Sequence, residues 1–92
     1  MTSDKERREK ILKKMKRNPK NVRFKQICLM AEVFGFTQRK GKGSHTIFIR
    51  KDLGVLLNFQ NIRGNVKPYQ VKQFIKVVEQ YGLIEEGSED AE

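Results

Sequence analysis

Apolar residues recur along this chain with different spacings, and each spacing predicts a different element. Over residues 23–34 they stand at Phe24, Ile27, Cys28, Ala31 and Phe34, the i, i+3, i+4, i+7 pattern of one helical face. Gly35 follows directly, placed to end that helix in a left-handed conformation. The same spacing returns at Val71, Phe74, Ile75, Val78 and Tyr81. It predicts a helix from Lys67 or Pro68 to Tyr81, with Pro68 in the permitted first turn and Gly82 as the cap. Residues 3–16 also read as helix, since they lack glycine and proline and Ser3 with Glu6 makes a capping-box pattern. Their apolar positions are only Ile11, Leu12 and Met15, so this helix is expected to dock weakly or fray. Asn18-Pro19-Lys20-Asn21 breaks the chain before the next helix.

Between the two strong helices the period shortens. Three strands are predicted, over 36–40, 45–50 and 54–60, joined by a glycine-rich turn and by Lys51-Asp52-Leu53. Connections this short cannot carry crossovers, so the sheet is an antiparallel meander. Thr46-Ile47-Phe48-Ile49 and Val55-Leu56-Leu57 are apolar at both parities, whereas a sheet with one wet face should alternate. Something is expected to cover the second face: the first helix or, the reading we favour, another chain. The parity leaves open which face carries His45. Asn61 to Asn65 is a polar loop, and the chain from Glu85 is acidic and expected to be disordered. The organisation expected is a basic helix or arm over 1–17, one domain over 18–84 and a tail over 85–92. Two helices on one face of a three-stranded sheet make an α+β two-layer sandwich, α-β-β-β-α, with an extra N-terminal helix.

Composition narrows the partners. The 92 residues carry a net charge of +9, with eleven Lys or Arg against three acids in residues 1–25, and five acids without a base in 85–92. A basic excess of this size favours a polyanion through counterion release. No apolar run is long enough to cross a bilayer and no signal-peptide pattern opens the chain, so a cytoplasmic protein without a membrane partner is expected. Cys28 stands alone on an apolar helical stripe and reads as a small core residue.

Several chemistries lack their residues. One histidine and one cysteine build no usual transition-metal site, and Asp52 is the only acid in the strand region, too few for a two-metal nuclease. Gly41-Lys42-Gly43 falls between strands and opens no helix, unlike a nucleotide-phosphate loop. Ser44 and His45 are strand neighbours that point to opposite faces, which disfavours a serine triad. Neither metal nor cofactor is therefore expected. Metal-free RNA cleavage remains open, because RNA brings its own nucleophile in the 2′-hydroxyl. An imidazole exchanges protons near neutrality, and cations stabilise the pentacoordinate phosphorane. His45, the only histidine, leaves the glycine-rich turn beside Arg39, Lys40 and Lys42, with Arg50 and Lys51 at the far end of the same strand. Gly43 permits close approach of the backbone to a phosphate.

Five motifs in order resemble the HicA family of toxins over residues 17–83. They are Asn18-Pro19-Lys20-Asn21-Val22, Gly35-Phe36, Gly43-Ser44-His45 at the start of a strand, Asn58-Phe59-Gln60 at the end of the next, and Lys67-Pro68-Tyr69-Gln70-Val71 opening the last helix. The resemblance implies a double-stranded-RNA-binding-domain-like fold, ribosome-independent cleavage of mRNA and neutralisation by a HicB-type antitoxin. It also implies that His45 is catalytic. The RNA-contacting set expected around it is Arg39, Lys40, Lys42, Gly43, Ser44, Arg50 and Lys51, acting on single-stranded mRNA. The basic helix before Asn18 and the acidic tail depart from the family pattern. A non-catalytic RNA-binding module of the same architecture is one alternative, although Lys67, Lys72 and Lys76 are a thin cluster for a duplex reader. A protein-interaction adaptor using the apolar sheet face is the other.

Overall fold

The structure is a computed structural model and describes residues 4–40, 43 and 45–85. Its elements run α1 (Asp4–Arg17), a 3₁₀ turn (Pro19–Asn21), α2 (Phe24–Val33), β1 (Thr37–Lys40), β2 (His45–Arg50), β3 (Val55–Gln60) and α3 (Pro68–Gln80). The protein is a small α+β molecule in which the three-stranded sheet has the order β1-β2-β3 and both pairs are antiparallel. The predicted elements are present, with boundaries displaced by a residue or two, as helix and strand ends commonly are.

Both strong helices stop in the same way. Gly35 and Gly82 take φ of 89° and 60°. After α2, the Phe36 N–H donates to the Ala31 carbonyl and that of Gly35 to Glu32; after α3, the Leu83 N–H donates to Val78 and that of Gly82 to Glu79. These paired bonds are Schellman closures, in which the residue after the glycine folds back as an apolar plug. Phe36 and Leu83 are accordingly buried, and Leu83 takes the core position that periodicity gave to Tyr81, which is 41% exposed at the C-cap.

The sheet faces are sorted by register. Phe48 pairs with Leu57 and Thr46 with Phe59, and Phe48, Leu57 and Phe59 are buried against the helices. Phe34 of the α2 cap, Phe74 of α3, Phe59 and Phe48 form a chain of rings with centroids 5.7, 6.0 and 5.8 Å apart. Edge-to-face and tilted pairs at this spacing add about 0.5–1.5 kcal/mol each beyond area burial. The aromatic parity therefore decides which face is the core.

The first helix departs from expectation. Leu12 and Met15 belong to the core, at 4% and 1% exposure, and α1 packs beside α3 in the helical layer. Its dock is completed by Arg8. One guanidinium nitrogen donates to the Leu83 carbonyl at 2.9 Å and another to the Val33 carbonyl at 3.0 Å, while the group lies 5.3 Å from the centroid of the Phe34 ring. A single cation thus closes the carbonyl ends of both α2 and α3, where the helix dipole favours positive charge. The expected arm over 1–17 is a third core helix across its described part. Ser3 of the capping box and the tail beyond Glu85 lie outside the described residues.

Candidate functional site

β2 sends alternate residues to opposite sides of the sheet. The odd positions, His45, Ile47 and Ile49, share the face away from the helices with Thr37 and Arg39 of β1 and with Leu56, Asn58 and Gln60 of β3. None of the helices covers this face. Leu56 is 59% exposed, and Ile47 and Ile49 are only half-buried. Of the two covers expected for the second face, the first helix is excluded, since α1 lies in the layer behind.

His45 is half-buried at one end of this face, opposite Gln60. Its Nδ1 lies 3.1 Å from Oδ1 of Asn58. An amide oxygen only accepts, so the tautomer that satisfies this contact carries its proton on Nδ1 and keeps the lone pair on Nε2. Asn58 is diagonal to His45 across the β2–β3 ladder, and Arg39 is diagonal to it across the β1–β2 ladder, because both pair with Ile47. Diagonal neighbours stand about 7–8 Å apart, within reach of an arginine side chain. The site is thus an imidazole held by an amide; Arg39 shares the face but lines a hollow with Thr37, Ile49, Arg50, Lys51 and Asp52 toward its other end.

The other expected residues divide into two groups. Lys40 pairs with Thr46 and so stands on β1 next to the turn. Gly43 adopts φ 60° in that turn, with open space where a Cβ would be. Lys42 and Ser44 lie outside the described residues. Arg50 and Lys51 are not brought to His45. Arg50 stands five positions along the strand from His45, roughly 16 Å at about 3.3 Å per residue. Arg50 also has the opposite parity. Its guanidinium donates to the Phe34 carbonyl at 3.0 Å, pairs with the Asp52 carboxylate and packs against Gly35. Arg50 therefore ties the end of β2 to the end of α2, and its hydrogen bond and charge hold the Asp52 carboxyl below its ordinary pKa. Burial, helped by Glu32, pushes the Cys28 thiol up to about 11, which keeps it protonated at neutral pH.

Asn58, part of the Asn58-Phe59-Gln60 motif, is the partner of His45 that the expected contact set lacked. A weak signal exists, since asparagine is depleted in strands and here interrupts Val55-Leu56-Leu57 on the way to Phe59. Among the described residues no group of three or more His, Cys, Asp or Glu gathers to hold a metal ion, and no helix is long and apolar enough to cross a membrane. No family model matches the chain, and neither the curated proteins nor the solved structures yield a match.

Proposed function

We propose that this chain is an endoribonuclease toxin of the HicA type, with a double-stranded-RNA-binding-domain-like fold, that cleaves single-stranded mRNA in the cytoplasm without a metal. The observation that carries the reading is the imidazole of His45 on an uncovered sheet face, with Nδ1 engaged by Asn58. In this reading Nε2 takes the proton from the ribose 2′-hydroxyl as its oxygen attacks the neighbouring phosphorus. Arg39 stabilises the negative charge on the phosphorane. The 5′-oxygen leaves with a proton from water or from a lysine of the turn, since the ring has already acted as base. The products are a 2′,3′-cyclic phosphate and a 5′-hydroxyl end. A HicB-type antitoxin would silence the enzyme by covering His45 together with Ile47, Ile49 and Leu56.

The test is a cleavage assay on mRNA in the presence of a chelator, with product ends identified by mass spectrometry. Wild type is expected to release cyclic-phosphate ends. His45→Ala is expected to lose about 10²–10⁴-fold in rate, the usual contribution of a positioned general base. A His45→Ala protein that cuts RNA at the wild-type rate sinks the assignment.

A further inference from the structure

From Lys10 to Ala31 the sequence contains eight Lys or Arg residues and no acid. The fold brings part of this run into one hollow, lined by Lys14 and Arg17 of α1, Asn18 and Asn21 of the turn, and Arg23 and Gln26 at the start of α2. Lys14, Arg17 and Arg23 are all exposed. Among the described residues the ion pairs join Lys5 to Glu85, Lys16 to Glu79 and Arg50 to Asp52, so none neutralises this hollow.

Arg23 also lines a second depression, with Phe24, Lys25, Asn61 and Gly64. The two depressions adjoin through its side chain. The loop behind the second one is fixed: the Phe24 N–H donates to the Gly64 carbonyl at 2.9 Å, and the Gly64 N–H donates to Asn61 Oδ1 at 2.7 Å. Arg63 is held there at φ 54°, a conformation non-glycine residues seldom adopt, and its side chain is exposed. Asn61 directly follows Gln60, which faces His45 across the ladder. Strand register and chain order thus lead from His45 past Gln60 to Asn61, and Arg23 links the Asn61 depression to the hollow of Arg17 and Lys14. α2 begins along this path and α1 ends on it at Arg17, so their dipoles oppose there and the positive potential comes from the side chains.

We infer that this track binds the phosphate backbone of the single-stranded RNA flanking the bond that His45 attacks, and that the helix before Asn18 serves in part as an RNA-holding surface. The inference deepens the nuclease reading and rests on it for the identity of the polyanion. Exposed cations with amide side chains between them, over a floor that includes Met15 and Val22, suit a backbone read without sequence preference.

The experiment measures binding of the full chain carrying His45→Ala, which keeps the RNA whole, to a short and a long oligouridylate by fluorescence polarisation across a salt series. Adding Lys14→Ala, Arg17→Ala and Arg23→Ala is expected to weaken the long oligonucleotide at least about tenfold at low salt. It should also flatten the slope of log affinity against log salt by about 2, at roughly 0.7 per single-strand phosphate contact. The short oligonucleotide, which ends near His45, is expected to change far less. An unchanged slope and affinity for the long strand overturns the inference. Because the triple variant could misfold, amide shifts are also followed in the His45→Ala protein with its groove intact. Movement at residues 18–23 and 61–65 on adding the long strand supports the track; movement confined to the neighbours of His45 overturns it. Binding of phosphatidylserine vesicles through these residues, with no affinity for oligouridylate, overturns it too. Failure of the nuclease reading is separate, because it appears as intact RNA with wild type while the salt slope still reports the groove.

Discussion

Arg8 and Arg50 stand where α2 and α3 finish, whereas Arg23 stands where α2 begins, with Arg17 beside it. At the finishing end, three backbone carbonyls and the Asp52 carboxylate take up both guanidinium groups. At the beginning end, α2 offers N–H groups, Arg17 being also the last residue of α1, and no acid pairs with either arginine among the described residues. The same residue type is therefore a fastener at one end and available for an external anion at the other. Net charge alone does not distinguish these uses; what distinguishes them is whether the side chain engages a carbonyl or carboxylate of the fold.

The contrast can be broken most directly at Arg8. Arg8→Met keeps the hydrocarbon stem and removes two charge-assisted hydrogen bonds along with the contact over Phe34. A loss of about 3 kcal/mol is expected from bonds of this kind, read by urea unfolding, while RNA affinity at low temperature stays at the wild-type level. Arg17→Ala should do the reverse, within about 0.5 kcal/mol of wild-type stability as an exposed position but weaker on RNA. If Arg8→Met is as stable as wild type, the fastener role is wrong.

Arg50→Met is expected to cost about 2 kcal/mol, since it orphans the Phe34 carbonyl. Asp52 adds a pH signature with a definite sign. Its folded pKa is lowered, so its stabilisation is complete above the unfolded value and disappears as pH falls from about 4. Asp52→Asn should flatten the acid side of the stability curve. A curve unchanged by that substitution would remove the ion pair from the account.

The smallest expected effect tests the His45 end. Asn58→Ala removes one neutral hydrogen bond of about 1 kcal/mol, equivalent to roughly five-fold in rate. The loss should fall on kcat rather than KM, and Asn58→Asp, which keeps an acceptor oxygen, should restore part of it. A loss confined to KM would make Asn58 an RNA contact instead of an orienting group.

Much of this molecule was legible in its residues. The spacing of Ile27, Ala31 and Phe34, and of Val71, Phe74 and Val78, marks the two inner helices because a packed helical face needs that repeat. The short connections force the meander. What the sequence could not decide was the face of His45, because Ile47 and Ile49 look as core-like as Phe48; the ring chain from Phe34 to Phe48 settles it in three dimensions. Arg8 and Arg50 read as solvated charges, since a bond to a carbonyl leaves no trace in composition. The partnership of Asn58 with His45 depends on strand register, and the docking of α1 depends on a residue far along the chain.

That last dependence sets an order of assembly. Arg8 is made 75 positions before Leu83, whose carbonyl is one of its two partners. Until the final turn has been synthesised, the leading helix has no finished berth, and Leu12 and Met15 stay without their full apolar neighbours. α1 thus leaves the ribosome well before it can settle, and a nascent chain stalled before Leu83 would present an incomplete core to the cell's quality control.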